Sequence, residues 1–374
     1  LYTLNMRKKV SDRDRINDTC ALNWSKTNRN FPKVVENVRK MSDGKGIDQN
    51  LVEEEFNAIR VTDANSAAPC NSVVTSVDFS YENVSLLLTA GFDRKLRIFD
   101  IDGKRNSLKS SSLFEDLPLR KVKFTSSGQI LLSGKANFIY VYDINKSSVM
   151  SRVDVFGSEI LIKGFAESPN TSEVQTTSIY GIGRTLSVFS SRDYRKVATL
   201  NVSEDIVGAS YSHSGRELFL AGSDGKVCTW DLRKMRCMDK KSLVGSRKVT
   251  ALNYSALDQL AVGDSDGVVN IFPRWKELFN DSSQKELVAG EKIMSLKSVV
   301  DGVSYNCGGN LLALSSSVCK DSLRMVKQPS CTICSRWPTS KTPVNFVFCT
   351  TFSRESRYLA VGNARGRVLL YSLR

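Results

Sequence analysis

The residue types best suited to chemistry in this sequence are its cysteines. Cys331 and Cys334 form a C-x-x-C pair, and Cys307 and Cys319 lie shortly upstream, so a zinc ion held by four thiolates is the first candidate. Common zinc modules contain two short-spaced pairs, which this spacing does not match. Three of these four thiols also fall in or beside predicted strands. We therefore predict packing cysteines buried in the fold and no metal site.

The cysteine count also indicates a redox compartment. Nine cysteines, an odd number, are scattered over 374 residues, unlike the dense spacing of small disulfide-stapled domains. We therefore predict a reducing compartment. The other five cysteines are Cys20, Cys70, Cys228, Cys237 and Cys349.

The sequence gives little support for nucleophilic catalysis or for nucleotide hydrolysis. His213 is the single histidine and falls in a predicted turn, whereas a Ser-His-Asp or Cys-His device needs a base held by a third group. A phosphate-binding loop needs Ser or Thr after its Gly-Lys, but Lys45 is followed by Gly46 and Lys226 by Val227. We predict no catalytic residue, no cofactor and no small-molecule substrate.

The composition is that of a folded protein without a membrane segment. Hydrophobic residues make up 41% of the chain and charged residues 25%, which are ordinary values for a globular domain. No apolar run approaches the roughly 18 residues needed to span a bilayer. The N-terminus shows no basic stretch followed by an apolar segment and a cleavage site. We therefore expect neither secretion nor membrane insertion.

A repeated unit runs from about Ser72 to the end of the chain, and its clearest copy is Ile206–Asp231. Residues 206–211 alternate as a strand, residues 212–215 form a tight turn, and residues 218–221 are a short buried strand. A second turn follows, and the copy closes on a Trp-Asp dipeptide. Self-similarity at a fixed period is the signature of repeat architectures.

Seven such copies can be anchored on the aromatic or apolar residue that ends the third strand. The anchors are separated by 41 to 54 residues, close to the roughly 40–45 of a four-stranded propeller blade. The second strands are near-continuous apolar runs, suited to strands covered on both faces. The sequence predicts an all-β fold, a seven-bladed WD-repeat β-propeller formed by residues 51–374. The anchors are Phe99, Tyr142, Phe189, Trp230, Phe272, Val326 and Tyr371.

Glycine and aspartate recur in the turns after the second strand. Glycine can take backbone angles closed to other residues, and aspartate can hydrogen-bond its own backbone in a turn. We therefore predict a structural role, and no metal site, for these repeated residues. They are Gly91, Asp93, Gly222, Asp224, Gly263, Asp266 and Gly362.

A ring of blades must close, and propellers usually take the outer strand of the last blade from before the first repeat. Phe56, Ile59 and Val61 lie where that strand should come from. We predict that their segment pairs with the final strand, Arg367–Tyr371. Closure removes exposed strand edges, so cutting the chain at residue 65 should leave an unstable ring.

Residues 1–50 are predicted to form a basic extension before the ring, with eleven Lys or Arg against six Asp or Glu. Pro32 could open a helix in which Val34, Val35, Val38 and Met41 share one face. A mostly mobile tail is the alternative, and the sequence leaves both open.

Basic residues are distributed over several predicted blades. The formal net charge is +14, and a positive field of this size attracts nucleic acid. Clusters at turns and on solvent-facing strand positions could neutralise phosphates without reading bases, and a plain solvated surface is the alternative for each. The candidates for RNA-backbone contact are Arg94, Lys95, Arg97, Lys104, Arg105, Arg120, Lys121, Lys123, Arg233, Lys234, Arg236, Arg365 and Arg367.

Two stretches are more specific than a generic propeller requires: Leu86–Asn106, and Lys320–Pro343 followed by Tyr358–Val368. They resemble the family of U-three small nucleolar RNA-associated protein eighteen, and the likeness covers roughly Ser72 to Arg374. The string Ser335–Ser340 is the most specific, because a generic blade does not require it.

This resemblance implies a non-catalytic scaffold subunit of the small-subunit processome, the U-three snoRNP-containing pre-ribosome of the nucleolus that processes 18S pre-rRNA. It implies tandem WD-repeat propeller proteins and a helical-repeat protein as partners, with pre-rRNA or snoRNA contact. The family's short motif that recruits the exosome's RNA helicase is not found upstream of the ring. Leu113–Asp116 is similar but has the wrong spacing, so the role is not carried over.

Two other classes of function remain as alternatives. Trp230, Asp231 and Arg233 match the W-D-x-R signature of substrate receptors for cullin-type ubiquitin ligases, although one such match is common in WD propellers. An enzyme built on a propeller lacks nearly every residue it would need.

Overall fold

The computed structural model describes residues 58–156, 161–169, 175–246, 248–280, 286–334, 337–338 and 342–373. Nearly all regular structure in this part of the chain is strand, and no helix in it is long and apolar enough to cross a bilayer. The predicted basic extension, its candidate helix and Phe56 lie outside the described residues.

The strands form seven antiparallel sheets that succeed one another along the chain, so the predicted seven-bladed β-propeller is confirmed. After β1 (Ala58–Arg60), blade 1 contains β2 (Val74–Phe79), β3 (Leu86–Gly91), β4 (Lys95–Asp100) and β5 (Ser107–Leu113). Blade 2 contains β6 (Leu119–Phe124), β7 (Gln129–Gly134), β8 (Phe138–Asp143) and β9 (Ser148–Asp154). Blade 3 contains β10 (Ile162–Glu167), β11 (Thr176–Gly181), β12 (Thr185–Ser190) and β13 (Lys196–Asn201).

The remaining blades are less uniform. Blade 4 contains β14 (Ile206–Tyr211), β15 (Glu217–Gly222), β16 (Lys226–Asp231), β17 (Arg236–Leu243) and a parallel fifth strand, β21 (Glu286–Leu287). Blade 5 contains β18 (Val249–Tyr254), β19 (Leu260–Asp264), β20 (Val269–Phe272) and β22 (Glu291–Ile293), with helix α1 (Trp275–Asn280) after β20. Blade 6 contains β23 (Gly302–Tyr305), β24 (Leu311–Ser315), β25 (Leu323–Lys327) and β26 (Thr332–Ile333). Blade 7 contains β27 (Val347–Phe352), β28 (Tyr358–Asn363) and β29 (Val368–Leu373), with β1 as its outer strand.

The core lies between neighbouring blades. Every residue of β3 is buried, and its Leu88 packs in one cluster with Val122 and Leu132 of blade 2. On the other side, Leu87 packs with Val368 and Leu370 of blade 7. A single blade therefore cannot bury its apolar faces alone, which is why the repeats must stack.

The insertion in blade 5 explains the widest anchor spacing. Helix α1 and strand β21 intervene between the third strand and the outer strand of this blade. Trp275 of α1 is fully buried and contacts Phe219 and Phe272 at ring-centroid distances of 6.0 and 5.7 Å. The extra residues thus cover the core between blades 4 and 5, and blade 5 still contains its four strands.

The innermost strands, which are β2, β6, β10, β14, β18, β23 and β27, surround a central channel. Because successive strands of a blade are antiparallel, the loops that enter the innermost strands lie at the same end of the ring as the loops between second and third strands. We call this end face one and the opposite end face two. Among the described residues, face one carries 61–73, 92–94, 114–118, 135–137, 155–156, 161, 182–184, 202–205, 223–225, 244–246, 248, 265–268, 294–301, 316–322, 334, 337–338, 342–346 and 364–367.

Strand β1 closes the ring by pairing antiparallel with β29. Ile59 is opposite Ser372, and the Val61 N–H donates to the Leu370 carbonyl at 2.9 Å. The buried Asn65 continues the connection, because its amide donates to Gly366 O at 2.7 Å and accepts from the Val368 N–H at 2.9 Å.

Four turn glycines are expected from the sequence to adopt backbone angles closed to other residues, and this reason is wrong because none of the four has a positive φ. Positive backbone φ occurs elsewhere, for example at Gly366, where φ is +75°. The four positions instead need glycine because of close packing: a Cβ on Gly362 would collide with the Cys349 sulfur, and one on Gly263 would lie 2.8 Å from Val300 Cγ1. The four are Gly91, Gly222, Gly263 and Gly362.

The turn aspartates differ from blade to blade. Asp93 Oδ1 accepts the Lys95 N–H, and Asp224 Oδ1 accepts the Lys226 N–H, each at 3.3 Å. In blade 5 the acceptor of backbone N–H groups is Asp264, whereas Asp266 accepts the Ser265 hydroxyl at 3.3 Å. The aspartate that bonds the backbone in this turn is therefore Asp264, two positions before the predicted Asp266.

Candidate nucleic-acid interface

The predicted phosphate contacts divide between the two faces. One group lies at face one on blades 7, 1 and 2, which are consecutive in the ring, and all its members except the half-buried Lys95 are exposed. Cationic side chains on adjacent blades can follow one stretch of phosphate backbone. The group, named here the face-one cluster, consists of Arg94, Lys95, Arg120, Lys121, Arg365 and Arg367.

A second group lies at face two, in the loops between third and outer strands. Lys104 and Arg105 follow β4 of blade 1, and Arg233, Lys234 and Arg236 follow β16 of blade 4. All five are exposed. Because blade 4 is three blades away from blade 1, these residues form two separate positive sites instead of one surface.

Arg97 is not available to a phosphate, which corrects its prediction. Its residue is 5% exposed, and its Nη2 donates to Asp93 Oδ2 at 2.7 Å. Burial opposes the charge of Asp93, but the bonds from Arg97 and Cys70 outweigh burial, so the pKa of Asp93 is lowered. The pair fixes the turn between β3 and β4.

Lys123 is half-buried near face two, close to the half-buried Asp78 and Glu167. Burial raises the pKa of Asp78 to about 6, and it also raises the pKa of Glu167, while Lys123 opposes both shifts. Burial alone would lower the pKa of Lys123, but nearby Tyr81 and the two carboxylates raise it. We assign this lysine to the fold, which corrects its prediction as a phosphate contact.

Arg354 belongs to the same group and was missed by sequence reasoning. Its guanidinium lies over the Tyr81 ring, 3.3 Å from the centroid, and Nη1 lies 3.8 Å from the Cys307 sulfur. It comes from the turn after β27, so only the closed ring brings it to Tyr81 of blade 1.

Two of the four cysteines considered for zinc, Cys331 and Cys334, pack against apolar clusters of the core, whereas the prediction of buried packing positions is wrong for the other two. Cys307 and Cys319 are exposed, and Cys331 and Cys334 are half-buried. Cys307 lies in the turn after β23 and Cys319 in the loop after β24, at opposite ends of blade 6. Across the described residues, no group of three or more His, Cys, Asp or Glu is arranged to hold a metal ion.

A different pair of thiols meets across blade 4. Cys228 of β16 and Cys237 of β17 are hydrogen-bonded, which raises the pKa of Cys228 and lowers the pKa of Cys237 to about 7. The strand register does not place them opposite each other, because Cys228 pairs with Lys240 and Cys237 pairs with Trp230. The sequence spacing therefore gave no sign of this contact.

The other predicted motifs occupy structural positions. His213 is exposed in the turn between β14 and β15. Trp230 packs against the core of blade 4, and Arg233 is exposed in the following turn, where its N–H donates to Asp231 Oδ1 at 2.8 Å. Phe114 is buried beside Tyr142, at a ring-centroid distance of 6.1 Å.

The family-specific string contributes a core residue. Trp337 is buried and contacts the Tyr371 ring edge-on, with centroids 4.9 Å apart. Ser335, Arg336 and residues 339–341 lie outside the described residues. The tryptophan therefore joins the segment between blades 6 and 7 to the last strand of the ring.

Comparison with known proteins agrees with this architecture. The model of the WD domain, G-beta repeat, matches residues 65–100, which include β2, β3 and β4 of blade 1. The chain is a WD-repeat β-propeller protein.

Its homologues carry one name across eukaryotes, so the resemblance inferred from the sequence is confirmed. The U3 small nucleolar RNA-associated protein 18 homolog of Arabidopsis thaliana is 34% identical over 319 residues, 84% of this chain and 56% of the relative. The Homo sapiens homolog is 28% identical over 83% of this chain and 55% of its own length. The Saccharomyces cerevisiae protein of that name is 26% identical over 91% and 64%. The chain thus spans little more than half the length of the first two relatives.

Proposed function

We propose that this chain is a non-catalytic scaffold subunit of the small-subunit processome in the nucleolus, supporting 18S pre-rRNA processing and small ribosomal subunit assembly. The observation that carries the proposal is the homology, over most of the propeller, to proteins named for association with U3 small nucleolar RNA. The exposed loops of a propeller provide docking surfaces, and the described residues offer side chains for recognition but no catalytic constellation. Its partners would be tandem WD-repeat propeller proteins and a helical-repeat protein.

Contact with RNA is the second part of this proposal. The face-one cluster supplies up to six cations on three consecutive blades, and none of them is in a described ion pair. Such contacts would bind pre-rRNA or snoRNA through the phosphate backbone and would weaken with salt.

Affinity purification of the full chain from cells tests the first part. We expect U3 RNA, 18S precursor and processome subunits to be recovered, as measured by RNA sequencing and mass spectrometry. The alternative, a substrate receptor of a cullin-type ubiquitin ligase, is favoured by the exposed Arg233 after Trp230 and Asp231. Recovery of a ligase adaptor as the main partner, without U3 RNA, would overturn the scaffold proposal.

RNA crosslinking with matched variants tests the second part. Arg120→Glu with Lys121→Glu should reduce crosslinked RNA several-fold and lower the slope of log K against log salt by about 0.7 per lost contact with single-stranded RNA. Lys104→Glu with Arg105→Glu makes the same charge change at face two. Equal losses in both variants would show a general charge effect and no interface at the face-one cluster.

A further inference from the structure

The central channel opens at face one into a cavity of about 300 Å³. Residues from the innermost strand of every blade line it, which makes it a feature of the closed ring that no single repeat contains. Its volume is at the lower end of the range for ligand pockets, so it suits a side chain of a bound segment better than a whole cofactor.

The wall of this cavity combines an exposed aromatic ring with two lysines. Phe348, the second residue of β27, is 39% exposed, and the exposed Lys121 and Lys163 line the same cavity from blades 2 and 3. The Lys163 ammonium is close enough to the Ile206 carbonyl, at 3.4 Å, to donate to it. The pKa of Lys163 is lowered, because burial and the nearby Lys248 outweigh the opposite effect of Asp205. The cavity thus offers an apolar contact between positive charges.

The acidic residue of the cavity does not cancel this charge. Asp301 is the one carboxylate among its described lining residues, and its Oδ2 already accepts the Ser317 N–H at 2.9 Å and the Ser317 hydroxyl. Two lysines against one hydrogen-bonded carboxylate leave a net positive mouth, which favours an anionic ligand.

Exposed apolar side chains also occur in the loops of the same face. Loops of blades 1, 3 and 6 and the loops that enter blades 5 and 6 each expose one large hydrophobic residue. Isolated exposed residues need no explanation, but a group on one face rimmed by charge is typical of a protein-binding surface. The group consists of Phe92, Ile182, Val244, Met294 and Val318.

From this combination we infer that the channel mouth at face one binds an acidic linear segment of another protein, with a large apolar side chain of that segment inserted beside Phe348. Phe348 is the one exposed aromatic side chain among the described lining residues of the cavity, whereas single-stranded RNA is bound by successive bases stacking on several aromatic rings. The inference deepens the proposed scaffold function and rests on it for its place in the cell.

A binding assay with the full chain tests the inference. The probe is a fluorescein-labelled peptide of about ten residues, in which one phenylalanine is flanked by glutamates, and binding is measured by fluorescence polarisation. We expect Phe348→Ser to weaken binding at least tenfold, and Lys121→Glu with Lys163→Glu to weaken it similarly. The matched control at face two, Leu257→Ser with Arg233→Glu, should leave the affinity unchanged.

A peptide of opposite charge shows whether a variant that no longer binds the acidic peptide is still folded. The peptide with lysines in place of glutamates should bind the Lys121→Glu, Lys163→Glu variant better than it binds the native chain. The inference is overturned if the peptide does not bind the native chain at millimolar concentration, or if the face-two control loses as much affinity. It is equally overturned if polyglutamate binds as tightly as the peptide, or if single-stranded RNA binds as tightly and Phe348→Ser weakens that binding to the same extent. Recovery of U3 RNA with the native chain is measured separately, so failure of the peptide assay would leave the scaffold proposal standing.

Discussion

Adjacent blades are joined in two different ways in this ring. Between blades 7 and 1 the chain itself supplies the connection, because β1 and the residues after it lie along β29 before the chain enters β2. Between blades 1, 2 and 3 no strand is shared, and single side chains reach across. The difference shows that one seam depends on a distant part of the sequence and the others on local repeats.

The hydrogen bonds across the seam between blades 7 and 1 come mainly from backbone, while an apolar cluster that includes Leu87 and Val368 packs the same two blades together. Ala64 N–H donates to Val368 O at 2.8 Å, and Asn65 then takes the place of a strand residue by bonding Gly366 and Val368 through its amide. These bonds join residues about 300 positions apart in the sequence.

The seams of blade 2 are built from side chains on innermost strands. Asp78 of blade 1 accepts the Phe124 N–H of blade 2 through its Oδ2 at 2.9 Å. Glu167 of blade 3 accepts the Ser126 N–H of blade 2 through its Oε1 at 2.7 Å. Ser76 exchanges two hydrogen bonds with the backbone of Val122. Each contact is replaceable by itself, because large apolar clusters hold the same blades together.

The sharpest test of the comparison is removal of the closing segment. A chain that begins at Ser66 loses β1 and Asn65, so we expect its free energy of unfolding to fall by at least about 4 kcal/mol, at about 1 kcal/mol per hydrogen bond. Thermal unfolding followed by circular dichroism measures the loss. A chain that begins at Asn57 retains β1 and serves as the control. Equal melting temperatures for the two would show that β1 does not close the ring.

Loss of the Asn65 amide alone should have a smaller effect. Asn65→Leu leaves the buried Val368 N–H without its acceptor and removes one of the two donors to the Gly366 carbonyl, which still accepts the Cys70 N–H, at a cost of about 2 kcal/mol. Urea unfolding gives the value. The same change at the half-buried Asn137, whose amide reaches Phe156 O only at 3.5 Å, should cost less than about 1 kcal/mol. Similar costs at both sites would contradict a special role for Asn65.

At the side-chain seam, Glu167→Ala should lower the free energy of unfolding by about 1–2 kcal/mol, since the Ser126 N–H loses its acceptor. Glu167→Gln retains an acceptor oxygen and should cost less. Urea unfolding of both variants distinguishes hydrogen bonding from charge. A glutamine variant as unstable as the alanine variant would show that the negative charge beside Lys123 matters more than the bond.

The smallest expected effect is a pH dependence from Asp78. Its pKa is raised to about 6 in the folded protein, so the folded state takes up a proton before the unfolded state does. Its contribution to stability is therefore least favourable above pH 6 and improves as the pH falls from 7 to 5, by about 1 kcal/mol. Asp78→Asn keeps an acceptor for Phe124 but cannot titrate. The stability of the native chain relative to this variant should rise over that interval, and a constant difference would contradict the assignment.

Local patterns were enough to predict the repeating architecture. The apolar second strands and the Trp-Asp end of the clearest copy identified blades, including blade 3, whose weak sequence still forms four strands. The closing strand was placed near Ile59 and Val61, where the structure has β1 and its continuation. The insertion that adds α1 and β21 was not predicted, because an irregular segment has no period to detect.

The site could be predicted less well than the fold. Arg97 and Arg94 look alike in the sequence, yet one is buried against Asp93 and the other is exposed. Lys123 is two residues from Lys121 on the same strand, but it faces the charges around Asp78 while Lys121 lines the channel mouth. Strand alternation and depth along the channel decide such cases, and both depend on how the blades pack.

The sequence by itself determined that this chain is built from seven sheets, because each repeat carries its own turns and apolar runs. It also determined the family, through strings that a generic blade does not need. Only the tertiary structure decided which cations reach solvent, on which face they lie, and which thiols meet. Those properties arise from contacts between blades about 45 residues apart or, at the seam, about 300 residues apart, and no local pattern specifies them.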